Sequence, residues 1–286
     1  MQNTFYPGQQ WLYFKIYCGY HTADKIIAKT LLPFSCALIQ QNSIEKWFFI
    51  RYHDPDHHIR YRLKINQAKN NFPIIEAIQD HLRQYELSGA IYTLEISTYK
   101  REIQRYPEQS YDKVESWFYH ESALVANLID QVIEMEDSNG NYRWHLALII
   151  IHNMLDIYEM DFKERSVILS DIASSFGKEF NTNSRLRHQL ADKVRNNMTT
   201  AAHLLTDELP PEVQKPINQW IVDTKDLVRE ILPDKTDKHL VSSYLHMFCN
   251  RFFRSRQRLH EYVLYDLLAR YYNQQYYLNT KTAVNK

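Results

Sequence analysis

The amino-acid sequence predicts an α+β protein. A four-stranded sheet in ferredoxin-like β-α-β-β-α-β order is expected over the first hundred residues, covered by an all-helical second half. Three observations carry this. Strand-like runs rich in aromatic and β-branched residues occur only before Tyr106, with helical spacing between them. From Tyr111 onward apolar residues recur with helical spacing. Only 5 of 286 residues are Gly, too few for a turn-rich all-β chain or a Gly-rich phosphate loop.

The first strand covers Trp11–Cys18, where aromatic and β-branched residues cluster. Thr22 and Asp24 then start a helix carrying Ile26, Ile27, Thr30 and Leu31, which Pro33 is expected to interrupt. Residues 46–53 form a second strand. Asp54, Pro55 and Asp56 give a turn, since Pro presets its own dihedral and Asp bonds its own backbone. The third strand therefore closes a hairpin. It alternates without a break, with His58, Arg60, Arg62 and Lys64 on one face and Ile59, Tyr61, Leu63 and Ile65 on the other. Pro73 opens a helix through Leu87 with Ile74, Ile75, Ile78 and Leu82 on its apolar side, and Gly89 ends it. Residues 91–98 make the fourth strand. Helices are then expected over Tyr111–Met135, 142–159, 166–180, 185–205, 212–231 and 238–272, with a loop from Asp137 to Gly140. Residues 1–286 form one domain in this scheme, with an α/β half over 1–108 and a helical half over 109–286. The tail after Asn279 is expected to fray.

Composition narrows the function. Lys+Arg and Asp+Glu both number 34, so the formal charge is zero and direct nucleic-acid binding is not expected. The three cysteines, Cys18, Cys36 and Cys249, are widely spaced without a CxxC pair. Free thiols fit a reducing cytoplasm. No secretory signal opens the chain, and no apolar run is long enough to span a bilayer. Phosphate-loop, dinucleotide, nucleophile-elbow and zinc-protease motifs are absent, and the histidines show no metal-ligand spacing.

Three constellations could carry chemistry. The first is the basic ladder, with Arg51 nearby in sequence. Its neighbours lie about 7 Å apart. At an effective dielectric near 20, each pair repels by about 2.4 kcal/mol. Water, protein carboxylates or an anionic ligand must offset that. Taken alone, a solvated basic face is the economical reading. The second is Glu102 and Arg105, three apart and so on one side of a helical turn, where a surface ion pair is the plain alternative. The third is His246 and Asn250, four apart on a packed helix and followed by Arg251. A histidine there is more often a satisfied core residue, although imidazole is well suited to proton transfer near neutral pH.

Together these constellations add a resemblance. In order the chain shows an aromatic-rich Trp11 to Tyr17, then Trp47 to Tyr52 including Arg51. His58-x-Arg60-x-Arg62, Tyr99-x-x-Glu102-x-x-Arg105-Tyr106 and His246-x-x-x-Asn250-Arg251 follow. Over roughly residues 11–270 this resembles the thiopeptide-type bacteriocin biosynthesis family. That family includes the C-terminal elimination domain of class I lanthipeptide dehydratases. The resemblance implies a lyase of ribosomal-peptide maturation. It would expel glutamate from glutamylated Ser or Thr to leave dehydroalanine or dehydrobutyrine, with no cofactor and no metal. It implies Arg60, Arg62, Glu102, Arg105 and His246 as elimination-site residues. Arg60, Arg62 and Arg105 would meet carboxylate and enolate oxygens, and His246 would transfer the proton. Supporting or substrate-binding roles are expected for Arg51, His58, Asn250 and Arg251. Lys64 is left as solvated charge.

The implied partners are a precursor peptide and a separate glutamyl-tRNA-dependent glutamylation protein, as in a split dehydratase; a homodimer is left open. Pro107-Glu108 stands where the family usually has Gly-Gly, which alters the loop after Arg105. Two other readings compete. One is a formal [4+2] cycloaddition building a thiopeptide pyridine ring. The other is a non-catalytic subunit that binds precursor peptide, for example by strand addition.

Overall fold

The computed structural model describes residues 2–66, 71–135, 141–179, 192, 198, 201–203, 205 and 208–284, with the side chains of 141, 178 and 282–284 excepted. Its strands are β1 (Thr4–Phe5), β2 (Trp11–Cys18), β3 (Ile44–His53), β4 (His57–Ile65), β5 (Ile91–Ile96) and β6 (Tyr99–Lys100). Four of them form an antiparallel sheet in the order β3-β4-β2-β5, the split arrangement expected from the order of elements. β1 and β6 pair separately. In β4 the period-two pattern holds, and Ile59, Tyr61 and Leu63 are fully buried.

Pro33 does not interrupt its helix. The chain passes from α1 (Tyr20–Ile26) through a π turn at Ile27–Leu31 into α2 (Leu32–Gln40). A proline ring removes one backbone donor and crowds the carbonyl four residues back. Widening the preceding turn accommodates both effects. Helix α3 (Asn71–Leu87) buries Ile74, Ile78 and Leu82. Full burial stabilises by about 1.5–3 kcal/mol per such side chain. Its end is a Schellman closure: Ala90 N donates to Tyr85 O at 2.9 Å and Gly89 N to Glu86 O at 3.0 Å. Gly89 takes φ +70°, a conformation costly for any other residue type.

The second half is helical: α4 (Tyr111–Met135), α5 (Asn141–Ile157), α6 (Phe162–Glu179), α7 (Pro211–Thr224), α8 (Val228–Ile231), α9 (Lys238–Phe252) and α10 (Gln257–Val284). The loop from Asp137 to Gly140 and almost all of the helix expected over 185–205 lie outside the described residues. The single helix expected over 212–231 is two, and the one expected over 238–272 breaks at 253–256, extending the second piece to Val284. Asp237 caps α9 by accepting from His239 N and Leu240 N. At the break Arg256 takes φ +51°. A left-handed non-glycine residue costs about 1–2 kcal/mol. Arg256→Gly is therefore expected to raise stability by up to about 1 kcal/mol, read as a higher urea midpoint at unchanged slope. A lower midpoint would show that the Arg256 side chain matters more than its backbone.

The helical half engages the sheet along the free edge of β3. Phe49 N donates to Ser122 Oγ at 3.2 Å, and Arg251 Nε donates to Phe49 O at 2.9 Å. Arg51 N donates to Asn250 Oδ1 at 3.0 Å, and Asn250 Nδ2 donates back to Arg51 O at 2.8 Å. Side chains of α4 and α9 thus take the place of a fifth strand. On the ladder face, Tyr99 stands against Trp11 and Phe48, and Phe118 of α4 packs on Phe48.

Candidate functional site

The four ladder residues have different fates. Lys64 is not solvated charge: Glu45 lies at 2.8 Å and Asp112 at 3.0 Å, so protein carboxylates neutralise it. His58 is fully buried, with Nδ1 at 2.9 Å from Asp56 O and Nε2 accepting from Arg60 Nε at 3.1 Å. That pattern fixes one neutral tautomer, and burial, with the Arg60 charge, holds its pKa below the ordinary histidine value. The guanidinium carbon of Arg60 lies over the Tyr52 ring, 3.3 Å from its centroid. Arg62 is 7% exposed, enclosed by the rings of Tyr13, Tyr99 and Phe48 at 4.6, 4.9 and 5.2 Å. Among the described residues no carboxylate pairs with it, and its Nε has no hydrogen-bond partner. Aromatic faces offset part of the cost of burying a guanidinium. They do not replace an anion.

A cleft of about 840 Å³ brings Glu102, Arg105 and His246 together, with Arg101, Ser242 and Arg258 also on its wall. Segment 101–106 reaches it in a tight turn, with Arg105 N donating to Glu102 O at 2.9 Å. The two side chains pair at 3.5 Å and are about half exposed, so the pair adds little stability. Arg101 anchors the turn through a two-point pair with buried Glu115, at 2.7 and 2.5 Å. Behind Glu102 lies a narrow notch of about 20 Å³ that Arg62 and Tyr106 also line. Glu102 is therefore common to the cleft and to the notch holding Arg62. Arg60 lines neither. The loop after Arg105 is tied down at Glu108, which accepts from Asn3 Nδ2 at 3.3 Å.

His246 projects from α9 toward Glu261 of α10, its Nδ1 lying 3.0 and 3.2 Å from the two carboxylate oxygens. Glu261 is 1% exposed, and Gln257 Nε2 holds it at 2.7 Å. In the neutral ring a carboxylate on Nδ1 requires the proton there, which leaves Nε2 with its lone pair. Such a histidine can act as a base. Neither Glu261 nor Gln257 belongs to a motif of the sequence. On one continuous helix Glu261 would stand about 22 Å from His246, fifteen residues at 1.5 Å each. The break at 253–256 folds α10 back and makes the pair.

Arg51, Asn250 and Arg251 lie away from the cleft. Arg51 points to the face opposite the ladder, bonding Asp24 and donating to Arg251 O at 2.8 Å. Arg251 is fully buried and paired with Glu121. Burial pushes the Glu121 carboxyl up to about 7 despite that pair. With Asn250 these residues clasp the β3 edge to α4 and α9.

Residues 11–272 match the family model described as lantibiotic biosynthesis dehydratase C-term. The chain belongs to that family. Among relatives, it is 24% identical over 269 residues to nisin biosynthesis protein NisB of Lactococcus lactis subsp. lactis, covering 92% of this chain and 26% of that protein. Subtilin biosynthesis protein SpaB of Bacillus subtilis is 21% identical over 265 residues, 90% of this chain and 25% of that one. The chain thus spans about a quarter of the length of these relatives. Among solved structures, the tRNA-dependent lantibiotic dehydratase MibB from Microbispora sp. 107891 superposes with TM-score 0.73 at 21% identity, over 96% of this chain and 29% of that one. The pyridine synthase TbtD from thiomuracin biosynthesis gives 0.62 at 14%, over 93% and 99%. The likeness to these structures is one of fold, which a dehydratase and a pyridine synthase share; the choice between chemistries rests on the site. Among the described residues no helix is long and apolar enough to cross a membrane.

Proposed function

We propose that this chain is the glutamate-eliminating lyase of a peptide dehydratase. Its substrate is a ribosomally made precursor peptide already glutamylated on Ser or Thr by a separate glutamyl-tRNA-dependent protein. The observation that carries this is Arg62, a buried guanidinium without a carboxylate, next to a cleft lined by His246, which is paired with the buried Glu261. Elimination needs a base, a means of stabilising the enolate, and a seat for an anionic leaving group. His246 Nε2 takes the α-proton, and Glu261 stabilises the imidazolium that forms. The Cα–H electrons become the Cα=Cβ bond, the Cβ–O ester bond breaks, and glutamate departs with that electron pair as a carboxylate. Arg62 and Arg105 supply positive charge for the enolate and the glutamyl carboxylates. Glu102, paired with Arg105, orients that guanidinium at the mouth. A cycloaddition of two dehydroalanines expels no carboxylate, so an unpaired buried arginine favours elimination over that second reading.

The test is to incubate the protein with glutamylated precursor peptide and follow peptide mass. Loss of the glutamyl adducts with gain of dehydrated residues supports the reading; adducts that persist on folded protein sink it. Arg62→Met should cut glutamate release by about 10²–10³-fold, the effect of removing a preorganised charge stabiliser. Its melting temperature should hold or rise, because an apolar chain of similar volume replaces an uncompensated charge. A large fall in melting temperature would mark Arg62 as structural instead.

A further inference from the structure

Tyr106 closes the notch behind Glu102 and is 5% exposed. Its ring stands edge-on to Tyr111 and Phe118 at 6.3 and 5.3 Å and tilts against Tyr244 at 5.3 Å. Those contacts account for the ring. They leave the hydroxyl unexplained, for it is buried and has no hydrogen-bond partner among the described residues. A phenylalanine would pack the same way without an unsatisfied polar atom.

Arg62 lines the same notch, and its Nε is a second buried donor without a hydrogen-bond partner among the described residues. Two residues that line one space, each with an unsatisfied donor, call for an acceptor, and a guanidinium calls for an anionic one. The notch measures about 20 Å³, room for a single oxygen or one water rather than for a side chain. What fills it is therefore one water or the tip of a group whose body lies elsewhere. The 840 Å³ cleft, sharing Glu102 as a wall, has that room.

We propose that Tyr106 is a further substrate-contacting residue, its hydroxyl and Arg62 together receiving one carboxylate oxygen of the glutamyl group while the rest of that group occupies the cleft. This deepens the elimination reading and rests on it. The phenol serves as a donor throughout, since burial lifts its pKa far above the ordinary tyrosine value.

Tyr106→Phe in the full chain removes the hydroxyl alone. Three measurements are made beside wild type: melting temperature, affinity for free glutamate by calorimetry, and glutamate release from glutamylated peptide. The melting temperature should stay or rise, glutamate affinity should fall about tenfold, as for one hydrogen bond to a charged group, and release should slow with a raised KM. A lower melting temperature would show that the hydroxyl serves the fold, and would overturn the proposal. Unchanged affinity and release, with wild type active, would mean that the notch holds a water only, and would overturn it while leaving the elimination reading intact. A wild type that neither binds glutamate nor releases it would instead remove the elimination reading, and this proposal with it.

Discussion

His246→Ala should cut glutamate release by about 10²–10⁴-fold, the range expected when a general base is removed. The protein should remain folded. Glu261 would lose the imidazole but keep Gln257 at 2.7 Å, Tyr265 Oη at 3.4 Å and Arg258 at 3.6 Å. The buried carboxylate would therefore not be left bare. Glutamylated peptide should accumulate, with near-normal affinity for it. Glu261→Gln is the companion experiment. It keeps the shape and an oxygen acceptor but removes the charge that stabilises imidazolium, so kcat should fall while KM barely moves. If both variants dehydrate at the wild-type rate, the proton is taken by some other group, and His246 is a structural histidine after all.

Asp24→Asn should lower stability by about 3–5 kcal/mol, as for breaking a buried ion pair. Asp24 is 1% exposed and lies against three guanidinium groups, those of Arg51, Arg143 and Arg254. Burial alone would raise its pKa, but the three arginines overcome that and hold it at about 2. The folded-state value is therefore below the unfolded one of about 3.9. A depressed carboxylate contributes stability that is complete above the unfolded pKa and is lost as pH falls toward the folded one. Wild type should accordingly lose roughly 2 kcal/mol between pH 4 and 2 through this residue. Urea midpoints measured across that window check both statements. If the acid loss is as steep in the asparagine variant, Asp24 does not cause it, and equal midpoints at pH 7 would remove the cluster as a keystone.

Much of this was legible from local pattern. The alternation through β4, the Asp54-Pro55-Asp56 turn, Gly89 and the helical spacing of α4 each report a backbone preference that tertiary packing did not override. The family resemblance placed Glu102, Arg105 and His246, and one cleft contains all three. What was not legible depends on contacts distant in sequence. Arg60 and Arg62 look equivalent on the strand, yet one lies over Tyr52 and the other is enclosed by Tyr13, Phe48 and Tyr99. Glu261 could not be found because the turn at 253–256 contains neither Gly nor Pro. Asp24 read as part of a helix start, and only the folded chain brings Arg143 and Arg254 to it.

The clasp on β3 has a consequence for how this sheet can associate. An uncovered strand edge is a template that other chains can extend, which folded proteins guard against. Here Ser122, Asn250 and Arg251 occupy the outward groups of Phe49 and Arg51, so extension from that side is blocked. The other edge, β5, has no further strand beside it among the described residues and exposes Tyr92 and Ile96. The sheet is thus one-sided in the contacts it can accept. An extended segment of another chain could add to it at β5 without disturbing the helices that carry His246 and Glu261.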